Sequence, residues 1–326
     1  MSNIKFSTVI GIFGNTIDRF CTSGYKQDYS LEELFERASA VKDIKGLELV
    51  ATWNINENNI DKVKALKDKY GFEISTVVVD LFTQSRFANG TLTSSDKKVR
   101  EESIIEIKKY MDIAPKLGCD LIDIWLAHDG FDYSFQTDFI ESWNLIFDGM
   151  RECADYRKDV RLGIEYKIKE PRTHCHVATI GKVLKIIDKV DRNNVGVIVD
   201  IGHAFFAYEN AAESICLCKL FGDKLFHIHL NDNYKMWDDD MMVGAVHIQE
   251  YLELLYWLKK TDYKGWYSLD VFPYREDGIG AAVESIEWLK YMLKAVDTVS
   301  EKEISEVLKS KDAVKSSALI RKMLAR

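Results

Sequence analysis

Proline is scarce in this chain, with three among 326 residues, and no linker rich in glycine, serine or proline interrupts it. Nothing in the composition therefore argues for loosely tethered domains. Six cysteines occur (Cys21, Cys119, Cys153, Cys175, Cys216 and Cys218), but none forms a CxxC pair. Free, mostly buried thiols in a reducing compartment are the expectation. No apolar run approaches the roughly 20 residues that a membrane helix needs. The opening MSNIKFSTVIGIF lacks the charged start and long apolar core of a secretion signal. These absences together suggest a cytoplasmic protein that does not engage a membrane. Positive charge is also in deficit, with 44 Lys and Arg against 52 Asp and Glu for a net charge of −8. A broad nucleic-acid-binding face is thereby disfavoured.

The chain does contain a regular alternation. Eight short β-branched runs, STVIGIF, GLELV, EISTVVV, LIDIWL, RLGIE, VGVIVD, LFHIH and GWYSLD, are separated by amphipathic stretches. Leu31, Leu34, Phe35 and Ala38 illustrate the helical spacing, and Ser30 with Glu33 forms a capping box in front of them. Further helices are predicted near 58–70, 96–117, 136–155, 179–190, 212–220, 247–260 and 280–297. Eight strands alternating with eight helices imply a parallel sheet. Closed on itself, it is a (β/α)8 TIM barrel over residues 1–299. Residues 300–326 fall outside the repeat. Ile304, Val307, Leu308, Leu319, Ile320, Met323 and Leu324 form an apolar stripe there, which predicts a C-terminal helical extension packed on the barrel or on a neighbouring subunit.

Acids and histidines fall at the ends of these runs. Glu165, Asp200, His229 and Asp270 each close an apolar run or lie within a residue of its end. In a βα barrel such positions converge on one mouth, where the active site lies. Three carboxylates and an imidazole meeting there make a divalent-cation site. His203 follows Asp200 by three residues, and Asp238 and Asp240 alternate in an acidic run beyond the seventh strand. Three adjacent carboxylates repel one another unless solvated or bound to cations. A second site of Asp200, His203, Asp238 and Asp240 follows, with Asp200 bridging. The donor set suits Mn²⁺ best, with Mg²⁺ or Co²⁺ as alternatives. Lys167, just past Glu165, is placed to stabilise charge on a substrate oxygen.

These segments carry a resemblance. EYKIKEPR (165–172) and HIHLNDNYKMWDDDMMVG (227–244) resemble signatures of the xylose isomerase family. LFTQSRFANGTLTSSDKKVR (81–100) looks like the loop and helix start after that family's third strand, and IWLAHDGFDYSFQ (124–136) is similar to the fourth strand of rhamnose-isomerase-like proteins. The resemblance implies that Glu165, Asp200, His229 and Asp270 hold a substrate-binding metal. His229 stands where xylose isomerase has an aspartate, as in the rhamnose-isomerase-like branch. His203, Asp238 and Asp240 would hold a catalytic metal, Lys167 would bind the sugar oxygen at C1, and Phe82 and Trp125 would form a water-excluding wall. Asn231 resembles a polar position behind the ligands. Trp53 stands near where the family often has a ring-opening histidine, and an indole cannot exchange protons there. His128 is a candidate replacement.

The resulting expectation is a two-metal aldose–ketose isomerase of an unphosphorylated sugar, moving a hydride between C1 and C2, with Lys167, His203 and Asp240 as catalytic groups. A ketose 3-epimerase on the same barrel is the nearest rival. An endonuclease-IV-like phosphodiesterase is a further one, disfavoured by the acidic balance. A metal-dependent sugar-binding protein without turnover, or mere salt bridges at a barrel mouth, complete the alternatives. The resemblance also implies a homo-oligomer, dimer or tetramer, with DRFCTSGYKQDYS (18–30) as the candidate loop reaching a neighbour's site. Phe20, Trp53, His128 and Phe131 are candidates for setting sugar specificity.

Overall fold

A computed structural model describes residues 4–170 and 172–325. Among the described residues are ten strands: β1 (Lys5–Val9), β2 (Ile44–Val50), β3 (Glu73–Val78), β4 (Leu121–Trp125), β5 (Gly130–Phe131), β6 (Arg161–Glu165), β7 (His174–Cys175), β8 (Val195–Asp200), β9 (Leu225–Leu230) and β10 (Trp266–Leu269). Eight of them close into a parallel barrel in the order β1-β2-β3-β4-β6-β8-β9-β10. The short strands β5 and β7 form a separate antiparallel pair above the mouth, an element the sequence pattern did not reveal. Two residues per strand are too few to show an alternation.

The eight apolar runs become the eight barrel strands, with one correction. STVIGIF is not all strand: pairing stops at Val9, and Ile10–Phe13 turns into a 3₁₀ helix. The helices are α1 (Leu31–Ser39), α2 (Ile60–Tyr70), α3 (Lys97–Ile113), α4 (Phe139–Tyr156), α5 (Ile180–Val190), α6 (Ile201–Phe206), α7 (Ala211–Leu220), α8 (Ile248–Lys260), α9 (Gly278–Asp297), α10 (Glu301–Ser310) and α11 (Ala313–Leu324). The capping box at Ser30 and Glu33 opens α1 as expected. The helix expected over 96–117 ends at Ile113, and Pro115 carries the chain on in a 3₁₀ turn, because proline removes a backbone donor and clashes with the preceding turn.

The tail turns its stripe onto the barrel. Ile304 and Met323 are buried in the main core, with Leu319, Ile320 and Leu324 packed against it. Ser300 caps α10 by accepting from the Glu303 backbone N–H at 3.2 Å. Among the described residues no helix is long and apolar enough to cross a membrane, and all six cysteines are free.

Register is what builds the mouth. Asp200 lies beside His229 between β8 and β9, and Ser268 lies beside His229 between β9 and β10. Between β6 and β8 two glycines, Gly163 and Gly196, face each other. A Cβ on Gly196 would stand 2.6 Å from the Phe226 ring, and one on Gly163 would stand 2.5 Å from Ile198 Cγ1. These are close approaches that only glycine permits. Gly196→Ala should therefore destabilise the barrel by about 1–3 kcal/mol, read as a lower denaturation midpoint. An unchanged midpoint would mean that the Phe226 ring swings aside freely.

Candidate active site

The barrel positions most of the acids by strand termination. Glu165 ends β6, Asp200 ends β8 and Asp270 follows β10 by one residue, so all three side chains gather where the strands finish. His229 comes from inside β9. Glu165, Asp200, His229 and Asp270 bring one ligand atom each within 4.8 Å of one another. His229 Nδ1 lies 3.5 Å from Glu165, 3.8 Å from Asp270 and 3.9 Å from Asp200.

A second group of the same kind contains Asp200, His203 and Asp238. The short helix α6 explains the pairing. Asp200 is its N-cap, accepting from the His203 backbone N–H at 2.8 Å, which fixes His203 one turn away from the strand end. His203 Nε2 then meets Asp238 at 3.1 Å, while its Nδ1 faces Glu165 at 3.1 Å without the alignment of a hydrogen bond. Asp240 does not join the second group. Its backbone is held at φ +46°, its main-chain oxygen accepts from Phe272 N–H, and its Oδ1 lies 3.3 Å from Asn231 Nδ2. Asp239 points elsewhere, accepting from Tyr234 N–H at 3.1 Å. Of the four ligands expected for the second site, Asp200, His203 and Asp238 form the tight group, and Asp240 is buried alongside it, close enough to Asp238, Asp270 and Asp200 to feel their charge.

Asn231 joins the two groups from behind. Its Nδ2 also donates to Asp200 Oδ2 at 2.9 Å. Gly202 makes room for it, since a Cβ there would meet Asn231 Oδ1 at 2.1 Å. Lys167 is buried, 2.7 Å from Asp238 and also paired with Glu170, with its ammonium 4.7 Å from the centroid of the Trp125 ring. Phe82 packs on Trp125 at 4.8 Å, and Trp53 meets Phe82 edge-on at 6.0 Å. Trp53, Phe82, Trp125 and Lys167 therefore form one row along the mouth. His128 Nε2 sits 2.8 Å from the Phe82 carbonyl. A carbonyl only accepts, so this nitrogen carries the proton and ties the imidazole to the wall. Phe131 lies farther out, stacked on His174. Phe20 is 79% exposed on the 18–30 segment. Pro171, inside the EYKIKEPR motif, lies outside the described residues.

Three buried groups were missed at the level of motif. Glu48 in the middle of β2 accepts from His227 Nε2 at 2.8 Å and His229 Nε2 at 3.1 Å, and from the Ser268 hydroxyl. Asp123 in β4 is fully buried, with neither carboxyl oxygen hydrogen-bonded. A signal for Glu48 and Asp123 did exist: an acid inside an apolar strand must be paired or protonated. His227, two residues before His229, shares its face of the strand.

Electrostatics follow from crowding like charges in a buried space. Burial, reinforced by Asp238 and Glu165 and only partly offset by His203, pushes the Asp200 carboxyl up to about 6. Burial likewise drives Asp270 up to about 8, with Asp200 and Glu165 adding to the shift despite His229. Burial and then Asp238 and Asp270 raise Asp240, while burial and Glu165 raise Asp123. Burial also penalises the carboxylates of Glu165 and Asp238. For Glu165 it is outweighed by His229 and His203, and for Asp238 by Lys167 and His203, so both stay below the usual range.

This donor set fits divalent cations. His203 Nδ1, His229 Nδ1, Asp238 Oδ1 and Asp270 Oδ1 are all buried and without hydrogen-bond partners. Buried polar atoms of this kind are costly unless satisfied. A cation satisfies several at once and removes the repulsion that raises Asp200 and Asp270.

Comparison with known proteins places the chain. Residues 35–292 match the xylose isomerase-like TIM barrel family, and the protein belongs to it. The xylose isomerase of Thermus thermophilus is 26% identical over 231 residues, covering 68% of this chain. The chain spans about 59% of the length of that enzyme. Among solved structures, a D-tagatose 3-epimerase-like protein superposes with a TM-score of 0.68 at 23% identity, covering 90% of this chain and 99% of its own. An L-ribulose 3-epimerase superposes with a TM-score of 0.71 at 13% identity, covering 90% and 96%. At these identities the two structures establish the fold.

Because a cation binds ionised carboxylates, it must displace the proton that Asp270 keeps below about pH 8 and, lower still, the one on Asp200. Apparent affinity for Mn²⁺ should therefore rise with pH from 6 to 8, with proton release detectable by calorimetry in buffers of different ionisation enthalpy. Flat affinity and no proton release would mean that these carboxyls are already ionised or do not bind the ion.

Proposed function

We propose that this protein is a divalent-metal-dependent isomerase that interconverts an unphosphorylated aldose and its ketose. The observation that carries the reading is the second acidic group beside the first. Asp200 is common to both, and Lys167 stands 2.7 Å from Asp238 at their edge. One cation would be held by Glu165, Asp200, His229 and Asp270, and another by Asp200, His203 and Asp238, with Asp240 alongside. Bound there, divalent cations supply Lewis-acid polarisation of the sugar oxygens. Mn²⁺ suits mixed carboxylate and imidazole donors, and Mg²⁺ and Co²⁺ are alternatives.

The protein's own groups do the rest. The Lys167 ammonium donates to the substrate oxygen at C1 as negative charge develops there. Asp240 is placed to take the proton from O2 and return it to O1. The hydrogen on C2 then moves with its electron pair to C1, so no atom is gained or lost. Phe82 and Trp125 keep bulk water from these carbons, and the row they form with Trp53 offers an apolar face to a sugar ring. His128, held by the Phe82 carbonyl, lies at the wall's edge, where ring opening would need an exchangeable proton. Asn231 holds Asp200 and Asp240 in place. An exposed Phe20 suits the reading that the 18–30 segment reaches a neighbouring subunit.

A ketose 3-epimerase is the second reading. It is supported by the divergence between Glu165, held low, and Asp270, pushed up to about 8. Such a divergent carboxyl pair flanking one cation can act as base and acid.

The two reactions separate in D₂O. Enzyme loaded with Mn²⁺ is incubated with pentoses, hexoses and deoxyhexoses, and the sugars are freed of metal and followed by NMR. The isomerase reading expects aldose–ketose conversion with little deuterium at C1 or C2. Deuterium entering C3 of a ketose would replace it with epimerisation. Lys167→Met should lower kcat by about 10²-fold or more while sugar still binds. Turnover unaffected by this change would remove Lys167 from the chemistry.

A further inference from the structure

Glu48 lies outside the two acidic groups at the mouth, and with His227 and His229 it forms a third buried cluster whose ligand atoms lie within 4.8 Å of one another. It is fully buried on β2, and its two carboxyl oxygens are divided between two histidines. Oε1 accepts from His227 Nε2 at 2.8 Å and from the Ser268 hydroxyl, and Oε2 accepts from His229 Nε2 at 3.1 Å. His227 and His229 lie two residues apart on β9, so both rings enter the barrel from the same face of one strand.

We infer that Glu48 is a positioning residue that locks His229 with its Nε2 protonated, so that Nδ1 presents its lone pair to the first cation. This inference rests on the reading that a cation occupies the Glu165–Asp200–His229–Asp270 group. A carboxylate accepts and does not donate, so the nitrogen facing Glu48 must be the N–H. In the neutral ring that a cation requires, the nitrogen left without a proton is then Nδ1. It is buried, lacks a hydrogen-bond partner, and faces Glu165, Asp270 and Asp200 at 3.5–3.9 Å. A carboxylate behind a ligating imidazole fixes its tautomer and ring orientation and strengthens it as a donor. His227 and Ser268 in turn fill the other oxygen of Glu48, so the carboxylate cannot rotate away from His229. The cost of burying this acid is met by both imidazoles.

Glu48→Gln tests the lock with little change of shape. A glutamine offers one accepting oxygen and one donating NH₂, and two imidazole N–H groups cannot both face it. One ring must turn over or lose its partner. Apparent affinity of the apo protein for Cd²⁺ and Mn²⁺ in the first group should fall by about 10–100-fold, measured by competition with a chelator. Protein labelled with ¹⁵N-histidine and loaded with ¹¹³Cd²⁺ should show cadmium coupling to His229 Nδ1 and a proton on its Nε2 in the wild type. The signal is assigned through His229→Ala. In Glu48→Gln that signature should broaden or disappear. Wild-type affinity in Glu48→Gln, or cadmium coupling to Nε2 in the wild type, would overturn the inference. If Glu48→Gln does not fold, the wild-type spectrum alone decides. Asp200→Asn and His229→Ala serve as the independent control on the underlying reading. Both should lose the first cation, and wild-type affinity in both would mean that no cation sits there and would remove the inference with it.

Discussion

Crowding of buried carboxylates at one end of the barrel is the constraint to which the rest of the molecule answers. Glu165, Asp200, Asp238, Asp240 and Asp270 lie within one space, with Glu48 and Asp123 beneath them in the barrel interior. Isolated ionised acids are not tolerated in such surroundings, and they are paired, protonated or bound to metal. The first two outcomes are visible. Glu48 is paired with two imidazoles and Asp238 with Lys167 and His203. Asp123 and Asp270 are pushed towards protonation. Asp200, common to both acidic groups, is likewise pushed up, to about 6.

The frame makes this crowding tolerable by being stiff. Eight paired strands hold Glu165, Asp200 and His229 at positions fixed by register, and the facing glycines Gly163 and Gly196 let neighbouring side chains fill the interior. Left-handed backbone at non-glycine residues occurs at both ends of the barrel, as at Asp191, Asp223 and Asp262, and two cases lie beside the acids of the mouth. Thr52 and Asp240 adopt positive φ without being glycine, which costs on the order of 1 kcal/mol or more each and persists only where surrounding contacts hold it. Both flank the proposed substrate space. Thr52 precedes Trp53 and hydrogen-bonds to Asp80 at 2.5 Å, while Asp240 is held by Phe272 N–H and Asn231.

The same barrel fold is found in proteins named for different carbon chemistry, a xylose isomerase and ketose 3-epimerases among them. What separates the reactions physically is where the second charge centre lies and how dry the reacting carbons are. A second acidic group with a lysine at its edge favours charge development on two vicinal oxygens. A lone first group with two carboxyls of divergent acidity favours removal of a proton from carbon. The aromatic row of Trp53, Phe82 and Trp125 faces the same space and would exclude water in either case.

Chain-local chemistry sufficed for the barrel and for most of its acidic mouth. Apolar runs of period two, helices of period 3.6 and acids at run ends are properties of neighbours in sequence, and they survive folding because hydrogen bonding and burial act on the same residues. Glu165, Asp200, His203, His229, Asp238 and Asp270 were legible for that reason. Asp240 lies beside Asp238 and Asp270 but outside the tightest cluster, a difference of position that spacing along the run does not resolve. The hairpin of β5 with β7 was too short to leave a pattern. Glu48, Asp123 and His227 looked like strand interior, and their meaning is absent from any one segment. Glu48 comes from the second strand of the barrel and the histidines from the seventh, 179 and 181 residues away. Only closure of the sheet brings them within 3.1 Å, and it is that contact, set by register and barrel geometry, that turns Nε2 of His229 to Glu48 and Nδ1 to the acids of the mouth.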